Sequence, residues 1–130
     1  MTNLIVEKTA RTPYIFFDGE KSTLSVQGRS IPENSLQFYG VLFKWADSFY
    51  QDSAEHQNLD VTFKLEYFNT SSSKCILDFL RKLENLKQMG VKVKVYWFYD
   101  VRDEDMQEVG QDFKEILDLE IELLPNPEKV

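Results

Sequence analysis

The chain has 130 residues, of which 42% are hydrophobic and 14% aromatic, enough to bury the core of one domain and too apolar for a disordered chain. Its formal net charge of -7 repels phosphate backbones and anionic lipid, which argues against nucleic acid and membrane surfaces as partners. Cys75 is the one cysteine, so an intrachain disulfide and multi-cysteine metal sites are excluded.

Met1–Arg11 has no apolar run of the signal-peptide kind, and no stretch reaches the length of a transmembrane helix, so a cytoplasmic protein is expected. Residues 1–130 read as one domain, with residues 1–11 and 125–130 loosely ordered. Tyr14–Asp18 reads as a first strand and Leu24–Gln27 as a second, joined by a turn at Gly19–Ser22. Gly28–Asn34 is expected to be a loop. Asn34, with Gln37 three residues on, reads as the cap of a helix running to Gln51. Its polar stripe is Gln37, Gly40, Lys44, Asp47, Ser48 and Gln51; Phe38, Leu42, Trp45 and Phe49, with Tyr39, Phe43 and Ala46, make the apolar face.

Asp52–Asn58 reads as a polar connection. Val61–Phe68 alternates, with Val61, Phe63, Leu65 and Tyr67 on one face and Thr62, Lys64, Glu66 and Phe68 on the other. Val91–Tyr99 alternates likewise, with Lys92, Lys94, Tyr96 and Phe98 opposite Val91, Val93, Val95, Trp97 and Tyr99. Between them a helix over 72–89 turns Cys75, Ile76, Phe79, Leu80, Leu83 and Leu86 inward, and Gly90 is placed to end it. A third helix over 103–117 is expected to bury Met106, Val109, Phe113, Ile116 and Leu117, with a last strand at Leu119–Leu124.

The order ββαβαβαβ implies an α/β domain with a mixed, mostly parallel sheet. Parallel strands covered on both faces read as continuous apolar runs. These strands alternate instead, so the helices are expected mainly on one face. Lys64, Glu66, Lys92 and Lys94 then lie on a wet face, near Phe68, Tyr96 and Phe98. Large apolar groups exposed together mark a binding surface; cover by the N-terminal arm or the last helix is the equal alternative.

Sites in such sheets form where strands end and helices begin. Three segments meet that description: Ser30–Ser35, Asn69–Lys74 and Tyr99–Asp103. The middle one carries four hydroxyls at a helix start, where free N–H groups and the helix dipole favour an anion. A phosphoryl group there would add roughly -1.5 to -2 charges and three acceptor oxygens. The plain alternative is that Ser72 is an N-cap worth about 1 kcal/mol.

The run Tyr67–Lys74, together with Pro32–Glu33–Asn34–Ser35 and Trp97–Phe98–Tyr99–Asp100, resembles the SiaC-like family of bacterial regulatory phosphoproteins, with similarity from Thr12 to Leu124. That family is similar in fold to the anti-sigma-factor antagonists of the STAS type. The resemblance implies that the threonine of Asn-Thr-Ser-Ser, Thr70, accepts a phosphate, with Asn69, Ser71 and Ser72 shaping the loop. It implies a kinase of the anti-sigma-factor type, a PP2C-like phosphatase, and an unmodified form that binds a target, a diguanylate cyclase in part of the family. Glu33 and Asn34, with Phe68, Tyr96 and Phe98, are the expected partner-binding residues. Asn69 and Ser73 stand where the STAS pattern Asp-Ser-Ser-Gly has its aspartate and glycine, which sets this chain apart from ordinary STAS partners.

Enzyme readings rest on less. Asp100, Asp103, Glu104, Asp105, Glu108 and Asp112 could suggest a metal-dependent enzyme, but they lack EF-hand spacing, and acids belong in a helix's first turn. His56, the one histidine, reads as a loop residue, and Cys75 as a packing thiol. There is no phosphate-binding or dinucleotide-binding glycine pattern. Gly110 either permits close packing or is simply tolerated. The expectation is therefore no catalytic residues, no metal and no cofactor, with a constitutive interaction subunit as a further alternative.

Overall fold

The computed structural model describes residues 1–51 and 58–126. Its elements are β1 (Leu4–Val6), β2 (Tyr14–Asp18), β3 (Thr23–Ser30), α1 (Ser35–Gln51), β4 (Asn58–Phe68), α2 (Thr70–Gln88), β5 (Lys92–Tyr99), α3 (Glu104–Ile116) and β6 (Glu120–Pro125). All six strands form one sheet in the order β1-β2-β3-β4-β5-β6. The first three pair antiparallel; β3, β4, β5 and β6 pair parallel. The sheet is thus mixed, with two antiparallel and three parallel pairings, and the described residues hold one strand more than the sequence suggested.

That strand is β1, whose Leu4, Ile5 and Val6 lie opposite Phe17, Phe16 and Ile15. The arm is also held further on, where Ile31 N donates to Arg11 O at 2.8 Å. Three crossovers step the same way across the sheet, so the right-handed rule sets α1, α2 and α3 on one face. Burial agrees. Val61, Phe63, Val95 and Trp97 are buried beneath the helices, whereas Thr62, Lys64 and Tyr96 on the other face are only partly covered. Lys64 Nζ lies 4.5 Å from the centre of the Phe98 ring and Lys94 Nζ 5.0 Å from that of Tyr96. Lys94 also bridges to Glu120 and Glu122.

The inward faces of α1 and α2 match the periodicity, with Leu42, Trp45, Phe49, Ile76, Phe79 and Leu80 in one core. Gly90 ends α2 at φ +103, with Gly90 N donating to Lys87 O and Val91 N to Leu86 O. In α3, Ile116 is 55% exposed rather than buried, because Leu117 and Leu119 occupy the core positions at that end. His56 and most of the polar connection lie outside the described residues; Asn58 already begins β4.

Two further departures shape the site. Strand β3 continues through Ser30, so the expected loop is shorter. In the β3–β4 pairing Gly28 faces Leu65 and Arg29 faces Tyr67, leaving Glu66 as an extra residue. This bulge reverses the alternation beyond it. Phe68 therefore leaves the open face, where Tyr96 and Phe98 remain, and packs half-buried against Trp97 with ring centres 6.2 Å apart.

Gly110 is a close-approach position. A methyl group there would fall within contact distance of the Trp97 indole and 2.7 Å from Leu123 Cδ2. Gly110→Ala is expected to lower stability by about 1–3 kcal/mol through overpacking, although alanine is the better helix former. Equilibrium unfolding in urea checks this, and an unchanged midpoint would contradict it.

Candidate functional site

The carboxyl ends of β3, β4 and β5 and the first turns of α1, α2 and α3 lie along one edge of the domain. Each helix opens on a short polar side chain. Asn34 Oδ1 accepts from Gln37 N at 3.1 Å, Asn69 Oδ1 from Ser72 N at 2.9 Å, and Asp103 Oδ1 from Met106 N at 3.0 Å. The cap of α2 is therefore Asn69, not Ser72, and the helix begins two residues earlier than its sequence suggested. Asn69 is extended at φ -84 and ψ 174, and its backbone N–H donates to Ser30 O at 3.0 Å, which fixes the end of β4 to that of β3.

With Asn69 as cap, Thr70, Ser71, Ser72 and Ser73 occupy the first turn of α2 and face different ways. Ser72 points into the core. Its hydroxyl lies 2.8 Å from Ser30 Oγ and donates to Ser30 O at 3.2 Å, and Ser30 Oγ lies 2.6 Å from the Tyr39 hydroxyl. This buried chain joins β3, α1 and α2. Ser71 is exposed, but its hydroxyl pairs with Ser35 Oγ at 2.7 Å and reaches Asn69 Oδ1 at 3.2 Å. Thr70 is exposed, and its hydroxyl has no hydrogen-bond partner among the described residues. Of the four consecutive hydroxyls, Ser72 is sealed in the core, Ser71 links two helices, Ser73 is half-buried against the neighbouring groove, and Thr70 is exposed.

Burial holds the Tyr39 phenol neutral and pushes its pKa up to about 12, against the smaller opposing effect of the Ser30 hydrogen bond. A raised acid pKa contributes stability that is complete below the ordinary tyrosine value and is lost as pH rises toward about 12. Spectrophotometric titration is expected to find one tyrosine that ionises last, together with unfolding in that alkaline range. A Tyr39→Phe chain should lose this step.

On its other side Thr70 borders a groove between the first turns of α2 and α3, with a volume of about 440 Å³. Tyr67, Phe68, Met106 and Val109 supply its apolar surface; Asn69, Thr70, Ser73, Asp103 and Asp105 supply its polar surface. Glu33 is exposed on the same edge, 3.9 Å from Arg11, a pair too open to contribute much. Tyr96 and Phe98 lie outside this lining, on the helix-free face, and Phe98 borders a second pocket that shares Asp103 and Asp105 with the groove.

The acidic run is taken up by local structure. Asp103 caps α3, Glu104 and Asp105 occupy its first turn, and Asp100 holds Arg102 through both carboxylate oxygens, at 3.1 and 2.9 Å. Among the described residues no three histidine, cysteine, aspartate or glutamate side chains are grouped to hold a metal ion, and no helix is long and apolar enough to cross a membrane. Cys75 is buried, and desolvation, then the Asp78 charge, push its thiol pKa up, the opposite of an activated nucleophile.

Sequence reasoning placed Asn34, Asn69, Thr70, Ser71 and Ser72 on this edge but missed the roles of Tyr39, Asp103, Asp105, Met106 and Val109. Tyr39 carried one signal: a hydroxyl on an otherwise apolar helix face. For the groove, strand-to-helix logic had put Asn69–Lys74 and Asp103 on one edge, but nothing in the sequence marked Met106 and Val109 as its floor.

Known proteins resemble this chain in sequence and in fold. An uncharacterized protein of Pseudomonas aeruginosa (strain UCBPP-PA14) is 38% identical over 115 residues, covering 88% of this chain and 90% of its own. The crystal structure of apo-SiaC from Pseudomonas aeruginosa matches with a TM-score of 0.87 at 34% identity, over 95% of this chain and 99% of that one. The crystal structure of the diguanylate cyclase SiaD in complex with its activator SiaC, from the same organism, contains a chain that matches with TM-score 0.87, 34% identity and the same coverage. The model of the SiaC family of regulatory phosphoproteins matches residues 6–126, nearly the whole chain. The chain belongs to the SiaC family of regulatory phosphoproteins.

Proposed function

We propose that this protein is a non-enzymatic cytoplasmic switch whose state is set by phosphorylation of Thr70. The unmodified form binds and activates a diguanylate cyclase, as the related SiaC is an activator of SiaD. A kinase of the anti-sigma-factor type adds the phosphate, and a PP2C-like phosphatase removes it. The observation that carries this reading is the sorting of the hydroxyls: Thr70 is exposed and without a hydrogen-bond partner among the described residues, whereas Ser71 and Ser72 are engaged, Ser72 is buried and Ser73 is half-buried.

The chemistry follows from the position. Thr70 is the first residue of α2, where unpaired N–H groups and the positive end of the helix dipole stabilise an added anion. The modification therefore does not have to unfold the helix. It adds roughly -1.5 to -2 charges to an edge that a target must desolvate. Asp103 and Asp105 line the same groove, so the new charge also meets charges of its own sign.

Calorimetric titration of a SiaD-type cyclase with unmodified and Thr70-phosphorylated protein tests the reading. The unmodified form is expected to bind at least about tenfold more tightly, a difference of about 1.4 kcal/mol. Equal affinity in the two states would contradict a switch and favour a constitutive subunit.

A further inference from the structure

We infer that the groove between the first turns of α2 and α3 seats a segment of a partner protein that carries an apolar side chain beside a lysine or arginine. This rests on the reading of Thr70 as the switch. The floor is apolar, formed by Phe68, Met106 and Val109, and its volume of about 440 Å³ suits one or two side chains. Asp103 and Asp105 are the charged residues of its lining, and no basic residue is among them. Cations around it are engaged: Lys74 with Asp78 at 3.4 Å, Arg102 with Asp100 at 2.9 Å, and Arg29 over the Tyr67 ring, 5.9 Å from its centre. An acidic segment would meet these two carboxylates, whereas a cationic one is attracted to them and to the chain's net charge of -7.

The same geometry states how phosphate acts on the seat. Thr70 is part of the groove wall, so a phosphoryl group on its hydroxyl occupies space that the apolar side chain needs. Burying one aliphatic side chain is worth about ten- to a hundredfold in affinity, whereas one more exposed ion pair to the phosphate returns at most about fivefold. Steric loss outweighs the added attraction, and the modified form releases a cationic partner.

The test is an NMR titration of the isotope-labelled full chain with a short peptide of leucine and lysine at helical spacing, and with the same peptide carrying glutamate for lysine. The expected result is amide shifts concentrated over 67–73 and 103–109, and at least about tenfold tighter binding of the lysine peptide. Asp105→Lys, at an exposed position that caps nothing, should weaken that peptide about fivefold. Tyr67→Ala should weaken both peptides by removing part of the apolar wall. Shifts spread evenly over the acidic surface, equal binding of the two peptides, or indifference to Asp105→Lys would overturn the seat. Groove shifts that persist after Thr70 is phosphorylated would uphold the seat and overturn the switch. Release of a SiaD-type cyclase on phosphorylation, without any groove shifts, would do the reverse.

Discussion

Replacing Thr70 by alanine is expected to abolish phosphorylation of the chain while changing its stability by no more than about 0.5 kcal/mol. The side chain is exposed and its hydroxyl has no hydrogen-bond partner among the described residues. The cap of the helix is Asn69, which the substitution does not touch. Alanine is also the better helix former at this position. Intact-mass measurement on protein from phosphorylating cells reads the first half of the expectation, and urea unfolding reads the second. Ser72→Ala is the control of opposite character. It should keep the phosphate but cost about 1–3 kcal/mol, because Ser30 would lose a buried partner. A Thr70→Ala chain phosphorylated to the wild-type extent would move the acceptor to another hydroxyl, with Ser71 the exposed neighbour to test next.

The largest stability effect is expected at Trp97. The side chain is essentially fully buried and packs against Phe63 and Phe113, each with ring centres 5.5 Å away, and against Phe68 at 6.2 Å. Its Nε1 donates to Met106 O at 3.0 Å, which ties the first turn of α3 to β5. Trp97→Ala should cost about 3–5 kcal/mol through lost burial and the cavity left behind. Trp97→Phe keeps a ring and forfeits mainly the hydrogen bond and some volume, so a smaller loss is expected. Urea unfolding with an unchanged denaturant slope measures both. The effect reaches the groove as well, because Phe68 and Met106 are held in place by this indole. Trp97→Phe should therefore weaken target binding even where the chain is fully folded.

Much of this fold was legible because its sheet is covered on one face. Strict alternation in Val61–Leu65 and Val91–Trp97 located β4 and β5 and the side that meets the helices. The three-and-four spacing of Ile76, Phe79, Leu80 and Leu83 located α2. What escaped was non-local or a matter of one residue. Strand β1 has three residues and exists through its pairing with β2; Leu4–Val6 has strand propensity but is too short to mark a strand by itself. The bulge at Glu66 shifts the register by one position and so moves Phe68 from the open face to the core. Gly28, at φ +123 beside that bulge, was its one local mark.

The start of α2 was ambiguous for a different reason. Asn69, Thr70, Ser71, Ser72 and Ser73 are all side chains that can cap a helix, and only the extended backbone at Asn69 selects one. Once Asn69 is the cap, helical geometry sends Ser72 into the core and leaves Thr70 outside. The residue pattern pointed to Thr70 through its resemblance to a family; the distinct surroundings of the hydroxyls are the observation on which the proposal of Thr70 rests. Tyr96 and Phe98 keep the open face expected for them, beside Lys94 and Lys64, and Phe98 lines a neighbouring pocket that shares Asp103 and Asp105 with the groove.

The most direct test is peptide-mapping mass spectrometry on protein purified from its native host with phosphatase inhibitors present. The expected result is a single added phosphate on Thr70, with Ser71 and Ser72 unmodified. A phosphate on Ser72, or none under any growth condition, would contradict the assignment of Thr70 as the switch.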